Sequence, residues 1–173
     1  MRISKCFWIW GRFSYEDTLY LNRQKNKVQS ILESPSYDIH ITLAGPFLKI
    51  DNKFLSKLKF FAQKNSPFDL YLKNFDFRDQ TFKSFYISII NSKDLNDFRG
   101  GILKIKKFNL EKEYHPHISL AYGVHKQNIK KELILRMPKL KESIKLTKIS
   151  LVDVNETINL WNILENFDLK KIQ

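Results

Sequence analysis

Tyr37 to Gly45 reads YDIHITLAG, and seventy-seven positions further on Tyr114 to Tyr122 reads YHPHISLAY. Each stretch carries His-x-(Thr/Ser): His40 with Thr42, and His117 with Ser119. In an extended chain, residues two apart share a face. Each copy therefore offers one imidazole and one hydroxyl on one side, with Ile41 and Leu43, or Ile118 and Leu120, on the other. If the two strands pack about a pseudo-twofold axis, two imidazoles and two hydroxyls meet in one cleft. That set is what cleavage of a phosphodiester without a metal ion requires. One neutral imidazole takes a proton from the attacking oxygen, a protonated one gives a proton to the leaving oxygen, and the hydroxyls donate to the non-bridging phosphoryl oxygens. Histidine suits both roles because its ordinary pKa of about 6.5 keeps both forms accessible near neutrality.

Tyr, Ile, Leu and Ala recur at identical offsets in the two copies, which argues against accident. The competing reading is structural: two core histidines hydrogen-bonded to hydroxyls, as shielded polar groups require. Neither remaining histidine is assigned chemistry, since His115 lies on the approach to the second strand and His125 in the loop after it. No His-Glu-x-x-His and no paired carboxylates offer a metal site, and no Gly-x-x-x-x-Gly-Lys loop offers a triphosphate site. The single cysteine, Cys6, excludes an internal disulfide and a Cys-x-x-Cys pair, and reads as a core residue. We expect neither metal nor cofactor.

The elements that must position these residues follow from periodicity. Strands are predicted over Lys5 to Phe13, Asp38 to Phe47, Phe68 to Phe77, Phe82 to Ile90 and His117 to Tyr122, the last tolerating Pro116 at its start. The polar RDQT turn joins the third and fourth. Helices are predicted over Glu16 to Leu32, with Leu19, Val28, Ile31 and Leu32 as its buried side, and over Asp51 to Gln63. Two more are predicted over Asp94 to Phe108, weakened at Gly100 and Gly101, and Ile129 to Met137, ended by Pro138. Ile144 to Val154 and Asn159 to Leu169 close the chain as a hairpin around NET. The order describes two similar halves with no Pro-, Gly- or Ser-rich linker between them.

A chain of 173 residues, 43% hydrophobic, can bury one core but is short for two. We expect a single domain over residues 1–173 and a monomer. Thirty basic against 18 acidic residues give a net charge of +12, spread along the chain. Such a field favours anionic partners, but a sequence rich in Lys, Asn and Ile with only three alanines, Ala44, Ala62 and Ala121, acquires basicity from AT-rich codon usage as well. The start, MRISKCFWIWGRF, is too short and too interrupted by charge to span a membrane and lacks a small-residue cleavage site. It reads as a strand of a cytoplasmic protein without membrane association. Phe75, Phe77, Phe82 and Phe85, at strand spacing, read as core rather than as a base-stacking platform.

HIT at His40 to Thr42 and HIS at His117 to Ser119 resemble the paired His-x-(Thr/Ser) signatures of the 2H phosphoesterase superfamily. The chain is similar in particular to the cyclic phosphodiesterase family typified by plant and yeast enzymes. The likeness includes an N-terminal aromatic strand with FWIWG, a second motif HPHISLAYG and a C-terminal ETINLWNIL. It implies a bilobal α/β (α+β) fold with antiparallel sheets around a central cleft, and hydrolysis of a 2′,3′-cyclic nucleotide or ADP-ribose cyclic phosphate to a monoester. It also implies His40, Thr42, His117 and Ser119 as catalytic residues, Tyr122, Trp10 and Trp161 as substrate contacts, His117 as the base and His40 as the acid. Ile39 stands where a Pro commonly precedes the first motif, and the lobes are unusually rich in Lys, which bears on substrate more than on chemistry. Two other readings compete: a 2′,5′-oligoadenylate or RNA-end phosphodiesterase or RNA ligase of the same superfamily, and a non-catalytic basic RNA-binding domain. Intact motifs argue against the last.

Overall fold

The structure, a computed structural model, describes residues 6–105 and 113–170. Among them the order is β1 (Cys6–Phe13), α1 (Tyr15–Gln29), β2 (Ile41–Phe47), α2 (Asn52–Lys64), β3 (Phe68–Asp76), β4 (Phe85–Ile89), α3 (Lys93–Ile105), β5 (His117–Ala121), α4 (Gln127–Arg136), β6 (Ser143–Val154) and β7 (Asn162–Asp168). Every expected element is present, with shifted ends. Thr81–Lys83 and Ile158–Leu160 wind into 3-10 turns, so the strands expected from Phe82 and Asn159 begin at Phe85 and Asn162. Lys5 and the expected end of the third helix, residues 106–108, lie outside the described residues.

All strand pairs are antiparallel, in the order β1-β2-β5-β4-β3-β6-β7, and β6 pairs with β1 as well. The expected halves are therefore two four-stranded parts of one ladder, β2-β1-β6-β7 and β5-β4-β3-β6. They share the long β6, which pairs with β3 near its start and with β1 and β7 further on. They meet again at a single residue pair of β2 and β5, Ile41 opposite Ile118.

Alternation sets the layers. Ile9, Phe13, Ile41, Leu43, Phe85, Ile87, Ile118 and Leu120 are fully or almost fully buried in the main core under the helices. Gly11 sits among them because a β-carbon there would lie 2.7 Å from Ile41 Cγ2 and 2.6 Å from Leu146 Cδ1. On the opposite face Cys6, Trp10, Val152 and Val154 form a smaller cluster, with Trp8, Trp161 and Ile163 packed on it.

Helix α1 corrects one expectation. Val28 and Leu32 are buried as predicted, but Leu19 and Ile31 are 44% and 46% exposed, and Asp17, Leu21, Gln24, Lys25 and Val28 form the inner stripe. That stripe keeps helical spacing but includes polar members whose partners are remote in sequence. Asp17 accepts from Lys141 Nζ at 2.5 Å and Lys145 N at 2.8 Å, and Lys25 Nζ donates to Tyr37 O at 2.6 Å. Apolarity alone misphases such a helix. Helix α3 runs through Gly100 and Gly101. Gly101 lets α2 approach, since a β-carbon there would meet the Phe61 ring at 2.4 Å.

Candidate functional site

The pairing of Ile41 with Ile118 joins the middle residues of the two motifs. Carried one residue either way, that antiparallel register sets His40 level with Ser119 and Thr42 level with His117. Directly opposed residues project to the same face, and both isoleucines are buried in the core. The two imidazoles and two hydroxyls therefore share the other face, each histidine beside the hydroxyl residue of the other copy.

Beyond this pair the strands diverge, and two carbonyls at equivalent positions take side-chain partners instead. Arg99 Nε of α3 donates to Leu43 O at 2.9 Å, and Gln29 Nε2 of α1 donates to Leu120 O at 3.1 Å. The helix preceding each motif thus satisfies the backbone of the other motif's strand, as buried carbonyls demand. Tyr114, first residue of the second copy, adds a third tie: its hydroxyl donates to Thr42 O at 2.8 Å, and the Arg99 guanidinium lies 3.9 Å from its ring centre.

Both imidazoles are anchored alike. His40 Nδ1 lies 2.6 Å from Asp38 O and His117 Nδ1 lies 2.9 Å from His115 O, in each case the carbonyl two residues back. A carbonyl only accepts, so Nδ1 carries hydrogen in both rings, and Nε2 is left as the nitrogen that gains or loses a proton. Burial pushes His40 down to about 3 and His117 down to about 4. Neighbouring cations add to this, Arg12 and Lys25 for His40 and Lys83 and Arg78 for His117. In the free protein both rings are neutral at pH 7, and protonating one discourages protonating the other.

The hydroxyls differ. Ser119 is buried and donates to Phe82 O at 3.0 Å. The Thr42 side chain makes no hydrogen bond among the described residues.

Of the three aromatics expected to touch substrate, Trp10 and Tyr122 are only 3% and 4% exposed, and Trp161 is half-buried. Trp10 lies flat on His40, ring centres 3.6 Å apart at 5°, so it supports the imidazole. Tyr122 stacks on Tyr37 at 4.1 Å, and Tyr37 meets His40 edge-on. Trp161 and Phe82, 6.1 Å apart, keep partly open rings next to Tyr122. Phe85 is core and Phe75 and Phe77 pack against it, but Phe82, expected with them, belongs to this aromatic wall. The 3-10 turn that displaces it from β4 is the reason. Tyr37 was visible as the repeated Tyr of the motif. Arg12 and Lys25 carried no such signal.

His125 is structural, with Nδ1 2.6 Å from Ser84 Oγ and Nε2 2.6 Å from Glu33 O. Among the described residues no cluster of three or more His, Cys, Asp or Glu could hold a metal ion, and no helix is long and apolar enough to cross a membrane.

In overall shape the chain is similar to TT0787 of Thermus thermophilus, with TM-score 0.62 and 15% identity over 98% of both chains. E. coli LigT complexed with 3′-AMP superposes with TM-score 0.61 and 12% identity, over 98% of this chain and all of LigT. LigT complexed with NADP+ gives 0.61 and 13% over the same shares. No curated protein sequence matches. The profile of the 2′-5′ RNA ligase superfamily matches residues 34–157, a span holding both motifs and everything between them. The chain belongs to that superfamily, the 2H phosphoesterases.

Proposed function

We propose that this protein is a metal-independent phosphodiesterase that opens a cyclic phosphodiester, a 2′,3′-cyclic nucleotide or ADP-ribose cyclic phosphate, to a phosphomonoester. The observation that carries the reading is the shared face at Ile41 and Ile118, with both imidazoles held through Nδ1 and both hydroxyls beside them. Nucleotide ligands of LigT, 3′-AMP and NADP+ among them, support a nucleotide as substrate.

One histidine takes a proton from water through Nε2 as the water oxygen bonds to phosphorus. The bond from phosphorus to one ribose oxygen breaks, and the other histidine delivers its Nε2 proton to that oxygen. Thr42 and Ser119 donate to the non-bridging oxygens, Ser119 by turning from the Phe82 carbonyl. The proton gained by the base and that lost by the acid are balanced through solvent. Burial and nearby cations make both rings resist protonation in the free protein. We take His117 as base and His40 as acid, as the family likeness implies.

The test is phosphorus NMR of 2′,3′-cyclic mononucleotides, ADP-ribose cyclic phosphate and 2′,5′-oligoadenylate with a chelator present. A cyclic substrate should be opened, and His40→Ala and His117→Ala should each cost about two to four orders of magnitude. A substrate with an activated leaving group, which needs no protonation, should rescue His40→Ala alone. Turnover that demanded added metal, or binding of RNA with no turnover of any substrate, would refute the hydrolytic reading.

A further inference from the structure

On the side of His40 away from His117 stands a charged cluster that the hydrolysis written above does not use. Register pairs Trp10 with Thr42 and Gly11 with Ile41, and one step further sets Arg12 of β1 level with His40. Trp10 and Arg12 alternate with Gly11, which faces the core, so both share the face of the motif. The charged and titratable groups that face His40 are Arg12 of β1, Lys25 of α1, Tyr37 and Asp38 of the segment before β2, and His117 of β5.

Arg12 Nη2 lies 3.6 Å from Asp38 Oδ1, and Lys25 Nζ donates to Tyr37 O at 2.6 Å. His40 Nδ1 in turn donates to the carbonyl of the same Asp38 at 2.6 Å. Two cations thus hold two successive residues, and the second of these orients the ring. They stand against one carboxylate. That carboxylate is 59% exposed, so water screens it more than it screens Arg12, 17% exposed, or the buried Lys25. The field left at His40 is positive.

Arg12 is badly placed for a purely structural tie. Its contact with Asp38 is too long for a hydrogen bond, and its Nη1 is buried with no hydrogen-bond partner among the described residues. A shielded guanidinium with idle donors is costly. What the position supplies is charge, and Arg12 and Lys25 both oppose a positive charge on His40. The phosphate of a bound substrate lets the ring be protonated. When the bond from phosphorus to the ribose oxygen breaks, its electron pair goes to that oxygen, which takes the Nε2 proton, and the ring returns to neutrality beside two cations.

We propose that Arg12 is a positioning residue for this acid step: through Asp38 it steadies the His40 ring, and with Lys25 its charge drives the Nε2 proton to the leaving oxygen. The inference rests on the hydrolytic reading for the role of His40 and on the cluster for the rest.

The experiment follows kcat against pH in the wild type, Arg12→Gln, Arg12→Lys and Asp38→Asn, on adenosine 2′,3′-cyclic phosphate and on a phosphodiester with an activated leaving group. NMR of the His40 Cε1 proton, with adenosine 3′-phosphate bound, reads the titration of the ring without turnover. The alkaline limb of kcat reports the acid in the complex. Arg12→Gln should move that limb and the NMR midpoint up by about half to one pH unit, the scale of one charge taken from beside a shielded ring. It should also lower kcat about tenfold on the cyclic substrate and far less on the activated one, which needs no acid. Arg12→Lys, which keeps the charge, should bring limb and midpoint back to their wild-type positions. Asp38→Asn, at an exposed side chain, removes the counter-charge of Arg12 and should move both the opposite way. A midpoint that Arg12→Gln leaves in place or lowers, or an equal loss on the two substrates, overturns the proposal. Should Arg12→Gln not fold, Asp38→Asn decides alone, and a midpoint it leaves unmoved or raises overturns the proposal equally. A midpoint raised by Arg12→Gln in a protein that turns over no substrate would sink the hydrolytic reading and leave the hold of Arg12 on His40 standing.

Discussion

Lowering the pH from about 7.5 to about 5 should cost this fold stability through the two motif histidines. In the unfolded chain both imidazoles bind protons as pH falls through about 6.5. In the fold they stay neutral until about 3 for His40 and about 4 for His117, chiefly because they are buried. Between these limits the unfolded state holds more protons, so stability is intact above about pH 6.5 and falls as pH falls below it. About pH 5 lies about 1.5 units below the unfolded pKa, so each ring that the fold keeps neutral costs about 2 kcal/mol there. His117 is partly exposed, so its share is the smaller, and we expect a total loss of about 3 kcal/mol. Asp17 and Asp79, whose pKa values are lowered, enter only in more acid solution.

Urea unfolding followed by circular dichroism at several pH values reads this directly, and His40→Asn should remove more than half of the slope. A wild type whose stability is flat over this window, or a variant with the wild-type slope, would show that the rings are not held neutral by the fold. The same linkage has a ligand arm. A phosphate anion in the cleft favours the charged ring, so binding of a phosphomonoester near pH 6 should take up about one proton. Calorimetry in buffers of different ionisation enthalpy measures that uptake, and its absence would disconnect the histidines from the phosphate.

Two further predictions concern the groups around the rings. Thr42→Val and Ser119→Ala should each lower turnover about a hundredfold, the scale for one preorganised donor to a developing anion, with the unfolding midpoint little changed for Thr42→Val and lowered for Ser119→Ala, which also loses the bond to the Phe82 carbonyl; a loss of turnover below about threefold would remove that hydroxyl from the mechanism. Arg99→Met should cost about 2 kcal/mol by orphaning the Leu43 carbonyl and the face of Tyr114. Hydrogen exchange should then quicken in β2 before β7, and uniform quickening would mean that the tie between the lobes is not local.

The repeated motif was legible because a strand has period two: once Ile41 and Ile118 are read as core, their flanking residues have only one face left. The tie between the lobes was not, since Gln29 and Arg99 sit in helices and act 91 and 56 residues away. Helix α1 was misphased for the same reason, its inner stripe being stabilised by remote partners of Asp17 and Lys25. Phe82 read as core by spacing, and the 3-10 turn that moves it onto the aromatic wall leaves no mark in hydrophobic pattern.

Charge is the clearest case of what composition withholds. A net +12 says that anions are attracted, but exposed charges beyond about 10 Å are screened in ordinary salt and most of the lysines lie on open surface. Lys130 is different: it is buried, and its Nζ lies 2.8 Å from Asp79 Oδ1 and 3.1 Å from Arg78 O, so its charge serves the turn between β3 and β4 rather than the field at the surface. That contact joins the turn to α4 across 51 residues. It exists only after the chain has folded, which is why the sequence names the candidate reacting groups plainly and a lysine of this kind hardly at all.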